Sequence, residues 1–469
     1  MCIRDSVKPL GCIIPNAGRG VRGNFFMRLA LLVNDMVGWD RNSGVPDGCH
    51  LPPGRVLSLE ESRKLLPGVE VDGFKGASLW YDGLAENSER LTLSFVQAAV
   101  DCGARVLNHV SLKKVFSAEG GVTGGLLYDE LNGEEFTVRA RSVVNAGGPW
   151  IDNVNGQGDA GSESPRPGKW AKAVNIIVRK SFFGPYAVGL AGDRKFEDKD
   201  AFIRKKGRFF FFVPWRGYTM IGTTYKPCSG SPGQVQPDVE DIAELVDEVN
   251  MIYPAAELTI RDVTNVHAGL VPMSAAIEGP DGDVQLVKES LCIDHGAVQG
   301  GLRGFYTIKG VKYTTAPRVA AETGKAVGRH LGRGDTSPGT IVSKRGRIND
   351  QAGSRKKLPP DFRYLQERYG DRAATVYEYV RQADEIVIEA PRLHMGEIDY
   401  FIEEEMACTL ADVVFRRSGA ATAECPDRDV LAKIARRMAM RFGWDSERQD
   451  REIGKVAAHF APLARAKYS

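Results

Sequence analysis

The spacing of hydrophobic residues predicts two helices in the first third of the chain. Residues 24–38 and residues 91–104 carry apolar side chains three and four positions apart, the pattern of one helix face. Gly103 is a natural end for the second helix. From Arg105 onward, apolar and polar residues alternate around two glycine turns, at residues 119–121 and 132–133. This alternation predicts a strand that leads into a β-meander.

The pattern changes twice more along the chain. Residues 168–223 are rich in β-branched and aromatic residues and predict strands, and residues 237–252 predict a helix. Residues 334–360 are polar and basic, which is typical of a linker. The chain beyond them is mostly helical in pattern. The sequence therefore predicts a mixed α/β body over residues 1–333, a linker over 334–360 and a helical C-terminal domain over 361–469.

Composition narrows the class of protein. The 469 residues are 43 % hydrophobic and 26 % charged with a net charge of +2, which gives no general reason to expect a nucleic-acid partner. The eight cysteines form no C-x-x-C pair, so we expect a reducing compartment, no zinc site and no disulfide framework. No apolar run reaches about 18 residues, so no transmembrane helix is expected. The opening MCIRDS lacks the apolar core of a signal peptide.

The strongest local candidate for a binding site is FYTIKGVKYTTAP at residues 305–317. A short apolar strand is followed by Gly310, Val311, Lys312 and two threonines, and then by a proline that opens a helical pattern. A helix start offers free N–H groups and a positive dipole end, which attract anions and electron-rich ligand edges. The alternative is a helix capped by a threonine, with a lysine in solvent.

Two glycine-containing segments are further candidates for a binding site. In SVVNAGGPWIDNV, residues 142–154, a strand ends in small residues, which either admit a ligand to the backbone or only form a tight turn over a buried tryptophan. GRGVRG, residues 18–23, fits G-x-G-x-x-G but lacks a proper preceding strand. No second strand fits before Asp40, so a flexible basic loop is the better interpretation.

The seven histidines form no H-x-x-x-H or HExxH set. His267, in NVHAGLVPM, is the one histidine that we consider as a general base, because it lies near a predicted strand end and histidine is the commonest such base. A purely structural histidine is the alternative.

Taken together and in order, five segments carry a family resemblance. They are ENSERLTLSFVQAAVDCGARVLNHV, VVNAGGPWIDNV, GRFFFFVPWRGYTMIGTTY, HAGLVPM and GVKYTTAPRVAAE. The chain resembles the FAD-dependent glycerol-3-phosphate dehydrogenases of the D-amino-acid-oxidase-like flavoprotein group. HMGEIDYFIEEEMACTLADVVFRRSG and RFGWDSERQDREI resemble that family's helical cap domain. The resemblance runs from about Val7 to the 450s.

The resemblance implies a fold of three parts. The first is a doubly wound FAD-binding sheet, over about 91–160 and 300–333. The second is an antiparallel-sheet substrate region, over about 7–90 and 165–299, and the third is the all-α cap. The family opens with a βαβ unit whose glycines hold the FAD pyrophosphate, whereas VKPLGCIIPNAGRG matches a mid-domain segment. We therefore expect an N-terminally truncated chain, and MCIRDS matches nothing in the family.

The resemblance also implies roles for particular residues. FAD would be held without a covalent bond, and Lys312 would place a positive charge near both the flavin and the anionic head of the substrate. His267 is the candidate base. The implied FAD contacts are Val110 at the adenine, Ala146, Gly147 and Gly148 at the pyrophosphate side, and Gly310, Val311, Lys312 and Thr314 at the flavin. The implied substrate contacts are Arg208, Lys288, Arg303 and Lys312.

The chain departs from the family at its phosphate clamp. Val271 stands where the family carries an arginine in G-x-R-P, and losing a bidentate arginine is not a conservative change. Asn175 and Tyr225 also replace the family's usual residues, a histidine and an aspartate. Lys288, Arg303 and Lys312 are the candidates to supply the phosphate charge instead.

The function implied is oxidation of sn-glycerol 3-phosphate to dihydroxyacetone phosphate. A base takes the hydroxyl proton, hydride passes from C2 to the flavin, and the electrons go on to a quinone. We expect a cytoplasmic protein, with peripheral contact to the inner face of the cell membrane, that forms a homodimer. The alternatives are a related FAD enzyme for another 2-hydroxy or amino acid, which Val271 favours, and an inactive fragment unable to hold FAD.

Overall fold

The structure is a computed structural model that describes residues 7–17, 23–45, 47–156, 169–192, 209–276, 284–297, 301–310, 312–333 and 358–468. Two predicted site residues, Arg208 and Val311, lie outside the described residues, as do GRGVRG up to Arg22 and most of the predicted linker.

The strands of the described part are β1 (Val7–Ala17), β2 (Arg55–Leu57), β3 (Phe74–Ala85), β4 (Val110–Ala118), β5 (Gly121–Asp129), β6 (Glu134–Arg139), β7 (Val143–Asn145), β8 (Trp170–Val178), β9 (Ala187–Ala191), β10 (Phe209–Trp215), β11 (Tyr218–Cys228), β12 (Val263–Ala276), β13 (Val284–Leu286), β14 (Leu291–Asp294), β15 (Phe305–Lys309), β16 (Ile386–Glu389) and β17 (Arg392–His394).

The α-helices of the described part are α1 (Asn24–Val37), α2 (Leu59–Leu65), α3 (Ser88–Asp101), α4 (Ile151–Asn155), α5 (Val239–Ile252), α6 (Ala316–His330), α7 (Arg363–Tyr369), α8 (Ala373–Gln382), α9 (Met395–Glu404), α10 (Arg428–Phe442), α11 (Ser446–His459) and α12 (Ala461–Tyr468). The helices predicted over 24–38, 91–104 and 237–252 are confirmed as α1, α3 and α5. No helix among these combines the length and apolar character needed to span a bilayer.

A nine-stranded sheet forms the body, in the order β13-β12-β8-β11-β10-β9-β1-β3-β2. Its pairs are antiparallel except for β1 with β9. One face packs on α5 and α12 and builds the main hydrophobic core, with Val174, Ile176 and Val178 of β8 at its centre. Because side chains alternate along a strand, Asn175 and its cross-strand neighbour His267 project from the opposite face. That opposite face is called the open face below.

Two smaller sheets complete the α/β body. The meander β4-β5-β6 is antiparallel, as predicted, and the sheet β14-β15-β7 contains a parallel pair, β15 with β7. Phe305 lies opposite Val143 and Thr307 opposite Asn145. The predicted fold class is confirmed: a mixed α/β body, smaller sheets and a helical C-terminal region with its own core.

The strand predicted from Arg105 is wrong at its beginning, because β4 starts only at Val110. His109 adopts a positive φ of 53°, which turns the chain before β4. Its Nε2 pairs with Asp412 Oδ2 at 2.8 Å, and Asn108 Nδ2 donates to the Met406 carbonyl at 2.6 Å. The residues before β4 are thus tied to the C-terminal domain instead of continuing the meander.

A buried cluster of charges joins the α/β body to the C-terminal domain. Arg90 of α3 forms an ion pair with Glu405, whose side chain is 0 % exposed. Arg90 also donates to the Arg417 carbonyl at 3.1 Å, and its guanidinium lies 4.8 Å from the Tyr369 ring centroid. Arg417 in turn donates to the Glu405 carbonyl. The charges of Arg90 and Glu405 therefore pair with each other, as charges taken out of water must. The Arg417 guanidinium lies 3.8 Å from Asp412 Oδ1.

We predict that Glu405→Gln lowers the free energy of unfolding by about 3–5 kcal/mol, because it leaves Arg90 buried without a counter-charge. The measurement is urea unfolding followed by circular dichroism. The control is Glu367→Gln, which breaks the exposed contact of Glu367 with Lys8 at 3.2 Å and should cost at most about 1 kcal/mol. Equal losses in the two variants would contradict the prediction.

Candidate functional site

Two glycine turns lie side by side at one edge of the β14-β15-β7 sheet. Because β7 and β15 run parallel, their carboxyl ends meet at the same edge. Gly147 and Gly148 follow β7, and Gly310 follows β15. A Cβ built on Gly148 or on Gly310 would meet no atom within 4 Å. Open space therefore lies in front of both turns, as a ligand that approaches the backbone closely requires.

The start of α6 stands at this edge without a side-chain cap. Lys312 and the turn Tyr313–Thr315 lead into the helix, and the Thr315 side chain accepts no capping hydrogen bond. The Thr315 hydroxyl instead donates to the Lys312 carbonyl at 3.2 Å. The interpretation of this segment as a threonine-capped helix is therefore wrong. Lys312 and Thr314 are exposed in front of a positive dipole end.

A buried chain of polar side chains fixes the two turns relative to each other. Asn145 donates to the Ile151 carbonyl and to Asn155 Oδ1, both at 2.9 Å. Thr307 donates to the same Asn155 oxygen at 2.8 Å and accepts from His295 Nε2 at 2.8 Å. Burial lowers the pKa of His295, which keeps the ring neutral. No sequence pattern had singled out His295, Asn155 or Thr307.

Three contacts bring the start of α6 and the helix α4 to a corner of the nine-stranded sheet. Lys309 Nζ lies 5.9 Å from the ring centroid of Trp170, the first residue of β8. The hydroxyls of Ser290 and Thr315 are 3.2 Å apart. Trp170 Nε1 donates to Asp152 Oδ2 at 3.3 Å, next to a cleft of about 640 Å³ whose lining includes Pro149 and Trp170. The glycine turns thus face the corner where β8 and β12 meet.

Val271 and Lys288 belong to the same corner. Val271 lies opposite Ala171 in the β12–β8 pair, and the amide of Val287 donates to the Pro272 carbonyl at 2.9 Å. Lys288 is the next residue and is exposed. The position at which the resemblance implies an arginine is therefore apolar, and a lysine lies one residue beyond Val287, which is hydrogen-bonded to β12.

His267 lies farther along β12, toward the C-terminal domain. Its Nε2 donates to the Thr422 carbonyl at 2.7 Å, so Nδ1 is the nitrogen that can accept a proton. The ring meets Trp215 edge-on at 5.8 Å. Burial lowers the pKa of His267, so the neutral form prevails at pH 7. On the same open face, Thr223 donates to Asn175 Oδ1 at 2.7 Å.

Two predicted site residues lie apart from this edge. Arg303 precedes β15, so the length of a five-residue strand, about 16 Å, separates it from Lys312. Its guanidinium donates to the Glu119 carbonyl at 2.7 Å in the meander turn. Val110 opens β4 on the meander, opposite Asp129. Lys309 and Trp170, in contrast, lie at this edge of the sheet but were not predicted as site residues. The position of Lys309 at the end of the FYTIK strand is the sequence feature that could have indicated it.

Comparison with known proteins places this geometry in a family. Residues 20–324 match the family described as FAD dependent oxidoreductase, and residues 347–449 match the C-terminal domain of alpha-glycerophosphate oxidase. The glycerol-3-phosphate dehydrogenase of Synechocystis is 28 % identical over 96 % of this chain and 81 % of its own length. The aerobic glycerol-3-phosphate dehydrogenase of Bacillus subtilis is 25 % identical over 94 % of this chain and 78 % of its own length.

Some relatives are considerably longer than this chain. A probable mitochondrial glycerol-3-phosphate dehydrogenase of Caenorhabditis elegans is 28 % identical, but the chain spans only 55 % of it. Among solved structures, the glycerol-3-phosphate dehydrogenase of Bacillus halodurans complexed with FAD superposes with a TM-score of 0.70. That match covers 98 % of this chain and 82 % of the other at 22 % identity, so it supports the fold.

The glycine turns and the helix start fit the cofactor that this family uses. Open space at Gly148 and Gly310 admits a ligand against the backbone, and the start of α6, which no side chain caps, presents a positive dipole end to an electron-rich ring edge. The prediction of FAD as the cofactor is confirmed at the level of the family. Since the match spans more than half of its length, the chain belongs to the family of FAD dependent oxidoreductases.

Proposed function

We propose that this chain oxidises sn-glycerol 3-phosphate to dihydroxyacetone phosphate. The observation that carries the proposal is the start of α6, which no side chain caps. Lys312 follows the Gly310 turn, and the register of β15 with β7 puts that turn beside the Gly147–Gly148 turn, at the corner of the open face. The names of the relatives and the matched C-terminal domain support this substrate over another 2-hydroxy or amino acid.

Bound FAD supplies one chemistry, the acceptance of a hydride. The residues that would hold it are Ala146, Gly147, Gly148, Gly310 and Thr314 at the sheet edge, with Val110 and Val311 as further implied contacts. We infer that the cofactor is held without a covalent bond. Lys312 has a second task, because its ammonium also attracts the phosphate of the substrate.

The substrate phosphate needs positive charge, and Val271 supplies none at the position where the resemblance implies an arginine. Lys288 follows Val287, which is hydrogen-bonded to β12 beside Val271, and Lys312 stands at the start of α6. We propose that these two lysines hold the phosphate. Arg303 is a weaker candidate, because its side chain is bound in the meander turn. Arg208 keeps its proposed role on the substrate side.

The hydroxyl proton needs an acceptor on the open face. We propose His267 for this task, because the Thr422 carbonyl orients the ring and leaves Nδ1 to accept. Val271 is four residues after His267, a distance of about 13 Å along the strand. A lysine side chain and a bound substrate together are long enough to connect the proposed phosphate position near Val271 with His267.

The proposed final acceptor is a quinone, which resides in a bilayer. We therefore propose a cytoplasmic protein with peripheral contact to the inner face of the membrane, and a homodimer as its assembly.

Lys312→Ala should slow substrate-driven bleaching of the flavin by a factor of about 10², or about 3 kcal/mol, if its charge acts at the transition state. Stopped-flow absorbance with glycerol 3-phosphate measures this. Lys325→Ala, an exposed lysine farther along α6, is the matched control and should stay within about 0.5 kcal/mol of wild type. Equal rates in all three proteins would leave Lys312 without a role.

The pH profile tests His267. Its pKa is lowered by burial, so the active neutral form persists below the ordinary value of about 6.5. The rate of bleaching should be flat above that pH and should fall as the pH drops through the lowered pKa. In His267→Gln, the rate should be low at every pH without this limb. A limb that survives in the variant would assign the proton to another group.

Val271→Arg should raise the affinity for glycerol 3-phosphate about tenfold, since a bidentate pair with phosphate is strong. Calorimetric titration measures this affinity. Val271→Lys is the control, and a smaller gain is expected because lysine cannot pair through two parallel bonds. The absence of a gain in both variants would mean that other residues already hold the phosphate fully.

A further inference from the structure

The turn between β10 and β11 carries an arginine where a short polar residue is usual. Trp215 pairs with Tyr218 across the two strands, so Arg216 and Gly217 form a two-residue hairpin loop. Both have a positive φ, of 54° and 82°. Hairpin loops of this kind favour Asn-Gly, because asparagine adopts a positive φ more readily than residues with longer side chains. The backbone of the turn therefore does not explain the arginine, and the contacts of its side chain do.

The guanidinium of Arg216 holds a loop of the C-terminal domain, residues 419–422. Its Nη1 donates to the Gly419 carbonyl at 3.0 Å and to Thr422 Oγ1 at 2.7 Å. The Thr422 hydroxyl itself donates to the Gly419 carbonyl at 2.7 Å. A Cβ on Gly419 would lie 2.5 Å from Arg216 Nη1, so the guanidinium keeps this place only beside a glycine. The arginine and the 419–422 loop thus fit each other closely.

The same loop fixes the ring of His267. The Thr422 carbonyl accepts from His267 Nε2 at 2.7 Å and from Asn265 Nδ2 at 2.8 Å. Asn265 and His267 are two positions apart on β12, so both side chains lie on the open face. A carbonyl has two lone pairs, and the open face uses both of those on Thr422. The position of Thr422 therefore decides the direction in which the imidazole points.

Arg216 and His267 also meet at one tryptophan. The Arg216 guanidinium carbon lies 4.7 Å from the Trp215 ring centroid, and the His267 ring centroid lies 5.8 Å from it. The Trp215 indole N–H donates to the Glu86 carbonyl at 2.8 Å, which holds the tryptophan in place. Arg216 thus reaches His267 by two routes, through Thr422 and through Trp215. A displaced guanidinium would disturb both contacts of the imidazole.

We propose that Arg216 is a positioning residue for His267. It holds Thr422 over the open face, and the Thr422 carbonyl then keeps a proton on Nε2 and leaves Nδ1 to accept the proton of the substrate. The C-terminal domain thereby completes the site, because the orienting carbonyl belongs to that domain and Arg216 to the α/β body. The inference rests on the proposed function for its purpose, since His267 is the base proposed there.

Arg216→Asn separates this role from a role in the turn alone. Asparagine suits a positive φ, so the turn should keep its stability, but its side chain is too short to reach the 419–422 loop. We expect a mixture of the two neutral tautomers of His267 in place of the Nε2–H form alone. NMR of ¹⁵N-labelled histidines in the 469-residue chain measures this at about pH 8, where the ring is neutral. His267→Gln assigns the signal, and thermal melts check that each variant is folded.

Kinetics give a second readout. In Arg216→Asn the rate of flavin bleaching by glycerol 3-phosphate should fall about tenfold at an unchanged affinity, because only the base is misplaced. Thr422→Val should act in the same way, since it removes the hydroxyl that Arg216 holds but keeps the carbonyl. The double variant should be no slower than the slower single variant, because both changes break one connection. Arg216→Lys should recover part of the rate, because an ammonium group can also donate to both oxygens.

The matched control is Arg179→Gln, which breaks the ion pair of Arg179 with Glu424, two residues past the loop. Its tautomer and its rate should equal those of wild type. An Arg216→Asn protein that keeps the Nε2–H form alone, or a double variant whose losses add, overturns the proposal. So does a changed tautomer at an unchanged rate, because the ring would then have no part in the reaction.

The NMR result and the proposed function fail separately, because the spectra need neither FAD nor substrate. A wild-type chain that does not oxidise glycerol 3-phosphate, but whose His267 loses the Nε2–H form in Arg216→Asn, refutes the proposed function and leaves Arg216 as the residue that orients His267. An active enzyme whose His267 tautomer does not depend on Arg216 refutes the positioning role alone.

Discussion

The parallel pairing of β7 with β15 is the constraint on which the rest of the site depends. It brings Gly147 and Gly310, more than 160 residues apart in sequence, to neighbouring strand ends. The register also matters: Asn145 lies opposite Thr307, and both reach Asn155. A slip of one residue would turn these side chains to the other face of the sheet and break the polar chain that holds the two turns.

Buried pairs of polar groups also fix the position of the C-terminal domain on the α/β body. Arg90 and Glu405 meet across the domain boundary, and Asp412 accepts from His109 nearby. Burial alone would raise the pKa of Asp412, but the hydrogen bond from His109 and its other donors outweigh burial, so the pKa lies below its ordinary value. Each of these groups is costly unless its partner is in place, so the domain has one stable position rather than several.

Sequence patterns predicted what depends on local periodicity and turn chemistry. The helices α1, α3 and α5, the meander, and the glycine-lysine turn before α6 all follow from spacing within short windows. The beginning of β4 did not, because the turn at His109 is set by contacts about 300 residues away. Arg303, Lys288 and Lys312 are the cations that the sequence offers in place of the missing clamp, but a strand separates Arg303 from Lys312. The hydrogen-bonded side chains that connect Asn145 to His295 through Asn155 and Thr307 have no sequence signature, because they come from separate segments.

The corner around Val271 shows how one substitution changes a whole environment. Val271 packs with Tyr225 and Leu286 against a small apolar cluster of Ala171, Met273 and Val284. An arginine at position 271 would have to leave this cluster or pair with an anion, because an unpaired charge is costly to bury. The apolar cluster therefore goes together with the loss of the arginine that the resemblance implies at this position. Under the proposed function, the positive charge for the substrate phosphate would then come from side chains around this corner. Lys288, Lys309 and Lys312 are among the cations that the described part of the chain places there, on separate segments. Phosphate binding by Lys288 and Lys312, as proposed above, would depend on charge more than on the bidentate geometry that an arginine provides. The size of the corner, rather than a fixed pair of hydrogen bonds, would then decide which anion fits.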